Sequence, residues 1–140
     1  MIKVFIDCTG WYALVNSRHP HHILAKEYFQ QLLDTHTRMY SNQRQIDTAI
    51  TLIKKECGLE IAVEFARLIE DAVLSTNLRV SSSTRRLRRN SIKLFFSERE
   101  ASITVDHCYI FEEVKKKKIN IIFSFDEALK TFAIPLMPQV

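Results

Sequence analysis

Two short apolar runs, one near each end of the chain, stop abruptly at an aspartate. Lys3-Val4-Phe5-Ile6 gives way to Asp7-Cys8-Thr9-Gly10, and Ile119 to Phe125, apolar apart from Asn120 and Ser124, gives way to Asp126. A near-continuous run, lacking the polar alternation of a half-exposed strand, belongs to a strand covered on both faces. Strands of that kind sit in parallel sheets, which need a long connection, usually a helix, between neighbours.

The intervening sequence supplies those connections. Trp11 to Asn16 predicts a short helix, and residues 21–33 a second, with Ile23, Leu24, Tyr28 and Leu32 at helical spacing. Arg38 to Ser41 predicts a strand, and Gln43 to Cys57 a helix with Ile46, Ala49, Ile50 and Ile53 on one stripe, closed by Gly58. Leu59, Ala62, Val63, Ala66, Ile69, Ala72 and Val73 then keep the spacing of one helical face. Leu78-Arg79-Val80 predicts a third strand, with the serines at 81–83 forming a turn and helix cap. A basic helix is expected from Thr84 to Phe96, and another, capped by Ser102 or Thr104, to Lys117, burying Val105, Cys108, Phe111 and Val114. The expected class is α/β, a three-layer α/β/α sandwich around a central parallel sheet, in one domain over residues 1–140.

Composition removes several functions. With only two glycines, Gly10 and Gly58, the chain can write neither a dinucleotide-binding fingerprint nor a P-loop, both of which need glycines where backbone wraps phosphate. No apolar run approaches the roughly 20 residues of a membrane span, and the N-terminal sequence lacks the order of a signal peptide. A cytoplasmic location without membrane association is expected. Cys8, Cys57 and Cys108 are widely spaced and odd in number, which argues for small buried residues rather than disulfides or a thiolate zinc site.

The chemistry is expected at the carboxyl ends of the strands, where open parallel sheets bind ligands. Asp7 and Asp126 stand at two such ends, and Asp47 and Asp106 lie in the first turns of helices that begin near the same edge. Four converging carboxylates repel one another or take up protons unless a cation lies among them. Hard oxygen donors without thiolates favour Mg²⁺ or Mn²⁺. The chemistry such a centre supports is metal-assisted phosphodiester hydrolysis.

Four segments together resemble the motifs of PIN domains, and most nearly the VapC-type ribonuclease toxins of toxin–antitoxin pairs. They are Val4-Phe5-Ile6-Asp7-Cys8-Thr9-Gly10-Trp11, Ser41-Asn42 before a helix carrying Asp47, Thr104-Val105-Asp106, and Phe123-Ser124-Phe125-Asp126. The resemblance implies a PIN-like fold and metal-dependent cleavage of RNA. It also implies a cognate antitoxin protein as inhibitor and a homodimer. By the same resemblance Asp7, Asp106 and Asp126 are metal-site acids, and Thr9 supports the metal or the first aspartate. Asp47 falls where the family usually has glutamate; being one methylene shorter, it reaches an ion only through water or a helix shift, which lowers activity. The alternative that this departure raises is a catalytically degenerate PIN-like module that binds RNA or protein.

Charge adds a second feature. The net charge is +4, and residues 84–140 carry the whole excess, with eleven Lys/Arg against seven Asp/Glu. Arg85, Arg86, Arg88, Arg89 and Lys93 have no acid among them, and on a helix several share one flank. Arg85, Arg86 and Arg89 are therefore expected to guide an RNA backbone, since guanidinium groups pair with phosphate oxygens. Lys115 to Lys118 complement a helix C-terminus. His19, His21 and His22 are expected in an exposed turn, and His107 can act as a general base only if it faces the sheet edge. A phosphotransfer receiver also groups aspartates at strand ends, but the strands here do not alternate regularly with single helices and no lysine stands at a late strand end.

Overall fold

The computed structural model describes residues 1–75 and 77–140. Its elements in chain order are β1 (Lys3–Ile6), α1 (Cys8–Val15), α2 (His22–Asp34), β2 (Arg38–Asn42), α3 (Gln43–Cys57) and α4 (Leu59–Leu74). β3 (Leu78–Ser81), α5 (Arg85–Ser97), α6 (Val105–Lys117), β4 (Ile121–Phe123), a 3-10 helix (Glu127–Phe132) and β5 (Leu136–Met137) follow. The strands form one sheet in the order β3-β2-β1-β4-β5, parallel throughout. The strand order reverses at β1, which lies between β2 and β4, so the crevice beyond the carboxyl ends of β1 and β4 is the natural ligand position.

Alternation along β1 builds the two cores. Val4 and Ile6, both fully buried, join residues of α1 to α4 on one face, including Trp11, Tyr28, Ala49, Ile53 and Phe65. Phe5 points the other way, to Ile110 and Val114 of α6, Ile122 and Leu129. Trp11 anchors the first layer, meeting the rings of Phe29 and Phe65 edge to face. The α/β/α sandwich and its parallel sheet are as the sequence predicts.

Three boundaries differ from expectation. The first helix begins at Cys8 rather than Trp11, because Asp7 caps it and the chain passes from strand to helix without a turn. β4 covers only Ile121–Phe123. Asn120 is tied to Lys3 by two hydrogen bonds at the mouth of the strand, and Ser124 turns its side chain toward Asp7. The cap of α5 is Thr84, whose hydroxyl accepts the Leu87 N–H, rather than one of the serines at 81–83; α6 is capped by Thr104, one of the two candidates in the sequence. The 3-10 helix and the two-residue β5 are too short to show a period in the sequence.

Burial also shifts in detail. In α6 the fully covered side chains are Cys108, Tyr109, Ile110, Glu113 and Val114, with Val105 and Phe111 half-buried; among the cysteines Cys108 alone is buried and the other two are half-buried. Gly10 has a role that its scarcity did not reveal. A Cβ on it would stand 2.7 Å from the carbonyl oxygen of Phe123, so its missing side chain lets α1 lie directly against β4. That contact brings Asp7 to the end of the neighbouring strand.

Candidate active site

Asp7 caps α1 at the carboxyl end of β1 and is almost wholly buried. Its Oδ1 accepts the Gly10 N–H at 2.9 Å and the Thr9 hydroxyl at 2.7 Å, while its Oδ2 accepts the Ser124 hydroxyl at 2.5 Å. Thr9 in turn accepts the Phe125 N–H at 2.9 Å, and Ser124 accepts the Asp126 N–H at 2.9 Å. These bonds lock the ends of β1 and β4 together and supply the support predicted for Thr9. Even so, burial outweighs the donors and pushes the Asp7 carboxyl up from 3.8 to about 6.

Asp126 lies one residue beyond Phe125 at the end of β4 and caps the 3-10 helix, its Oδ1 accepting the Ala128 N–H at 3.0 Å. Its Oδ2 accepts from Nε2 of His107 at 2.7 Å. This bond to His107 is the main cause holding the Asp126 carboxyl below its ordinary value. The tautomer of His107 follows from its other contact, since Nδ1 accepts the Thr104 N–H at 3.0 Å and the proton must therefore sit on Nε2. His107 does face the sheet edge, but both of its nitrogens are engaged, so it orients Asp126 and has no free lone pair for a water.

Asp106, beside His107 in the first turn of α6, is partly exposed, and its Oδ1 accepts Nε of Arg44 at 2.6 Å. Asp7, Asp126 and Asp106 act jointly on Cys8, whose thiol burial and these three carboxylates push up to about 12. Ser124 thus joins Asp7 to Asp126 at the strand ends, and Asp106 stands next to His107, which bonds Asp126. Asp47 is not among them. It is exposed and lines the groove between α3 and α4 with Ile50, Ala66 and Glu70. The α3 residues that reach this end of the sheet are Gln45, whose Oε1 accepts the Cys8 N–H at 2.8 Å, and Arg44, through Asp106. Asp47 is about 200° of rotation from Gln45 and about 60° from Arg44, and its side chain lies on the α4 side of that face.

The donors fit Mg²⁺ or Mn²⁺ in kind. A carboxylate offers about four lone-pair positions; with the bonds above, Asp7 Oδ2, both oxygens of Asp126 and Asp106 Oδ2 keep unused capacity. All are hard oxygens, and a buried carboxyl with a raised proton affinity is one that a cation would return to its charged form. In placement they do not form a ready site: among the described residues no group of three His, Cys, Asp or Glu side chains is close enough together to hold a metal ion.

Sequence reasoning missed Arg44, Gln45 and Ser124. Ser124 left a trace as a polar break in an apolar run; Arg44 and Gln45 left none, because their roles depend on how α3 meets β1 and α6. The arginines of α5 are exposed and, among the described residues, unpaired with any acid. Arg86 lines a cleft with Asn90, Glu112, Lys115 and Lys116, so this end of α5 lies against the last turns of α6. The nine residues from Asp106 to Lys115 correspond to about 14 Å of helix, which separates Arg86, beside Lys115, from Asp106.

The fold and the placement of the acids define the class: a PIN-like α/β/α sandwich with carboxylates at the ends of its two central strands. Among solved structures, VapC20 of Mycobacterium tuberculosis, a toxin that cleaves the sarcin–ricin loop, matches with a TM-score of 0.79 and 24% identity, over 94% of this chain and 95% of that one. PAE2754 of Pyrobaculum aerophilum matches with a TM-score of 0.57 and 12% identity, over 94% and 84%. The fold of this chain is therefore that of a VapC-type PIN domain. No protein-family profile and no curated protein sequence matches it.

Proposed function

We propose that this chain is a metal-dependent endoribonuclease, acting as the toxin of a toxin–antitoxin pair. The observation that carries the reading is Asp7 and Asp126 joined through Ser124 at the switch point of the sheet, with Asp106 beside the His107 that bonds Asp126, and with lone-pair capacity left on each carboxylate. The likeness of fold to a toxin that cleaves the sarcin–ricin loop supports RNA as substrate. Asp7, Asp126 and Asp106 would hold Mg²⁺ or Mn²⁺; when bound, such an ion supplies a water acidified for attack and a positive charge against the phosphate. Thr9 and Ser124 keep Asp7 and Asp126 in register, and His107 fixes the face that Asp126 presents. The exposed Arg85, Arg86 and Arg89 draw in the flanking backbone.

α4 turns Leu59, Val63, Val73 and Leu74 outward on one face, and no helix among the described residues is long and apolar enough to cross a membrane. This apolar face supports a protein partner, as an antitoxin or a second copy requires. The test of the activity is RNA cleavage with added Mn²⁺ by Asp126→Asn, Asp106→Asn and Asp47→Asn. The first two are expected to lose cleavage by at least about a hundredfold, and Asp47→Asn to keep it within a few-fold, since its carboxylate faces another groove. Full cleavage by Asp126→Asn would refute the assignment.

A second reading is supported by Asp47 lying away from the crevice: a degenerate module that binds RNA without cutting it. It requires salt-sensitive RNA affinity together with no Mn²⁺ binding at millimolar concentration.

A further inference from the structure

We propose that Arg44 is a substrate-binding residue of this site, its two Nη groups forming a fork for a phosphate of the RNA backbone beside the acids; this rests on the ribonuclease reading above. The guanidinium is held at two points. Nε donates to Asp106 Oδ1 at 2.6 Å, and the central carbon lies 4.3 Å from the centroid of the Tyr109 ring. Tyr109 is 1% exposed, so that ring is a fixed platform within α6. Stacking and the Nε bond together fix the plane of the head group and leave its terminal edge pointing away from both.

Neither Nη has a hydrogen-bond partner among the described residues, and the side chain is 37% exposed. A counter-ion for Asp106 needs only one contact in water, and such surface pairs contribute little. Here a flexible side chain has been given one orientation before any ligand arrives, which is the preorganisation that favours binding. The edge left free carries two parallel N–H groups at the spacing of two phosphate oxygens.

Position and charge agree with that use. The next residue, Gln45, bonds the backbone of Cys8, so the first turn of α3 leans over the end of β1 and carries Arg44 to the acid cluster. Three carboxylates there repel a phosphodiester, and a cation built into the chain offsets that repulsion at the point of reaction. Arg86 of α5, which lines a cleft with Lys115 about 14 Å along α6 from Asp106, is too far to do the same and serves a flanking phosphate instead.

The test uses a short fluorescein-labelled single-stranded RNA with the full-length wild type, Arg44→Ala, Arg44→Lys and Asp126→Asn. Anisotropy in EDTA over a series of KCl concentrations reads binding without metal, and single-turnover cleavage with Mn²⁺ reads the reaction. Arg44→Ala is expected to bind about tenfold more weakly, with a salt slope smaller by about one. Arg44→Lys should keep most of the slope but cleave at least about tenfold more slowly, because one ammonium cannot hold Asp106 and two phosphate oxygens at once. Wild-type binding and slope in Arg44→Ala, or wild-type cleavage by Arg44→Lys, would overturn the proposal. Asp126→Asn separates the two claims: RNA binding retained with cleavage lost upholds the ribonuclease whatever Arg44 does. A wild type that neither binds nor cuts RNA overturns both.

Discussion

Asp7→Asn is expected to make the metal-free protein more stable while abolishing its proposed activity. Burial raises the Asp7 carboxyl from its ordinary 3.8 to about 6, so the folded state holds the proton more tightly than the unfolded chain does. At about 1.4 kcal/mol per tenfold change in proton affinity, charging this group costs the fold about 3 kcal/mol at pH 7.5. The cost is absent below pH 3.8, grows between 3.8 and 6, and is complete above 6. At pH 4.5 it amounts to about 1 kcal/mol.

Asparagine removes the charge and keeps the bonds. Its Oδ1 can accept from Gly10 and Thr9 as before, and its Nδ2 can donate to Ser124 Oγ. Ser124 then turns its own hydroxyl proton toward Thr9 Oγ1, which lies 3.1 Å away. Urea unfolding in EDTA measures the outcome. The variant should exceed the wild type by up to about 3 kcal/mol at pH 7.5, with the gap narrowing to about a third of that at pH 4.5. A carboxylate kept at a cost to stability is what a functional site requires and a merely structural cap does not. An Asp7→Asn protein that is no more stable at pH 7.5, or whose gain is undiminished at pH 4.5, would refute the reasoning.

Two further substitutions test the frame around the site. Gly10→Ala forces α1 away from the Phe123 carbonyl and should cost about 1–3 kcal/mol in urea unfolding, with cleavage falling as Asp7 is drawn from Ser124. Thr104→Ala removes the acceptor of the His107 N–H from the cap of α6 and should cost about 1 kcal/mol, read by thermal or urea unfolding.

The parallel α/β architecture was legible because the apolar runs of β1 and β4 lack alternation and the helices of residues 43–57 and 59–74 show a clear period. Asp7 and Asp126 were legible for the same reason, since a carboxylate directly after a buried strand has to emerge at the sheet edge. Asp106 lies in the first turn of α6, where the start of that helix predicts it. Asp47 lines the groove with α4 instead, because register on a helix decides orientation. A shift of two residues exchanges Gln45, which meets β1, for Asp47, which meets α4. Arg44 was invisible for a related reason: its meaning lies in a stack on Tyr109 and a bond to Asp106, residues more than sixty positions away that only tertiary packing brings near. His107 was noticed, but its second bond, which removes it as a base, belongs to the cap of α6 and not to the strand end.

The central claim is that Asp7, Asp106 and Asp126 hold a divalent cation at the junction of β1 and β4. An anomalous difference map from crystals of the wild-type protein grown with MnCl₂ tests it most directly. The expected result is density bounded by those three carboxylates, with Asp47 outside the coordination shell and Arg44 Nε still on Asp106 Oδ1 while Oδ2 faces the ion. A map with no density in that crevice at millimolar Mn²⁺, or with density only beside Asp47, would contradict the account.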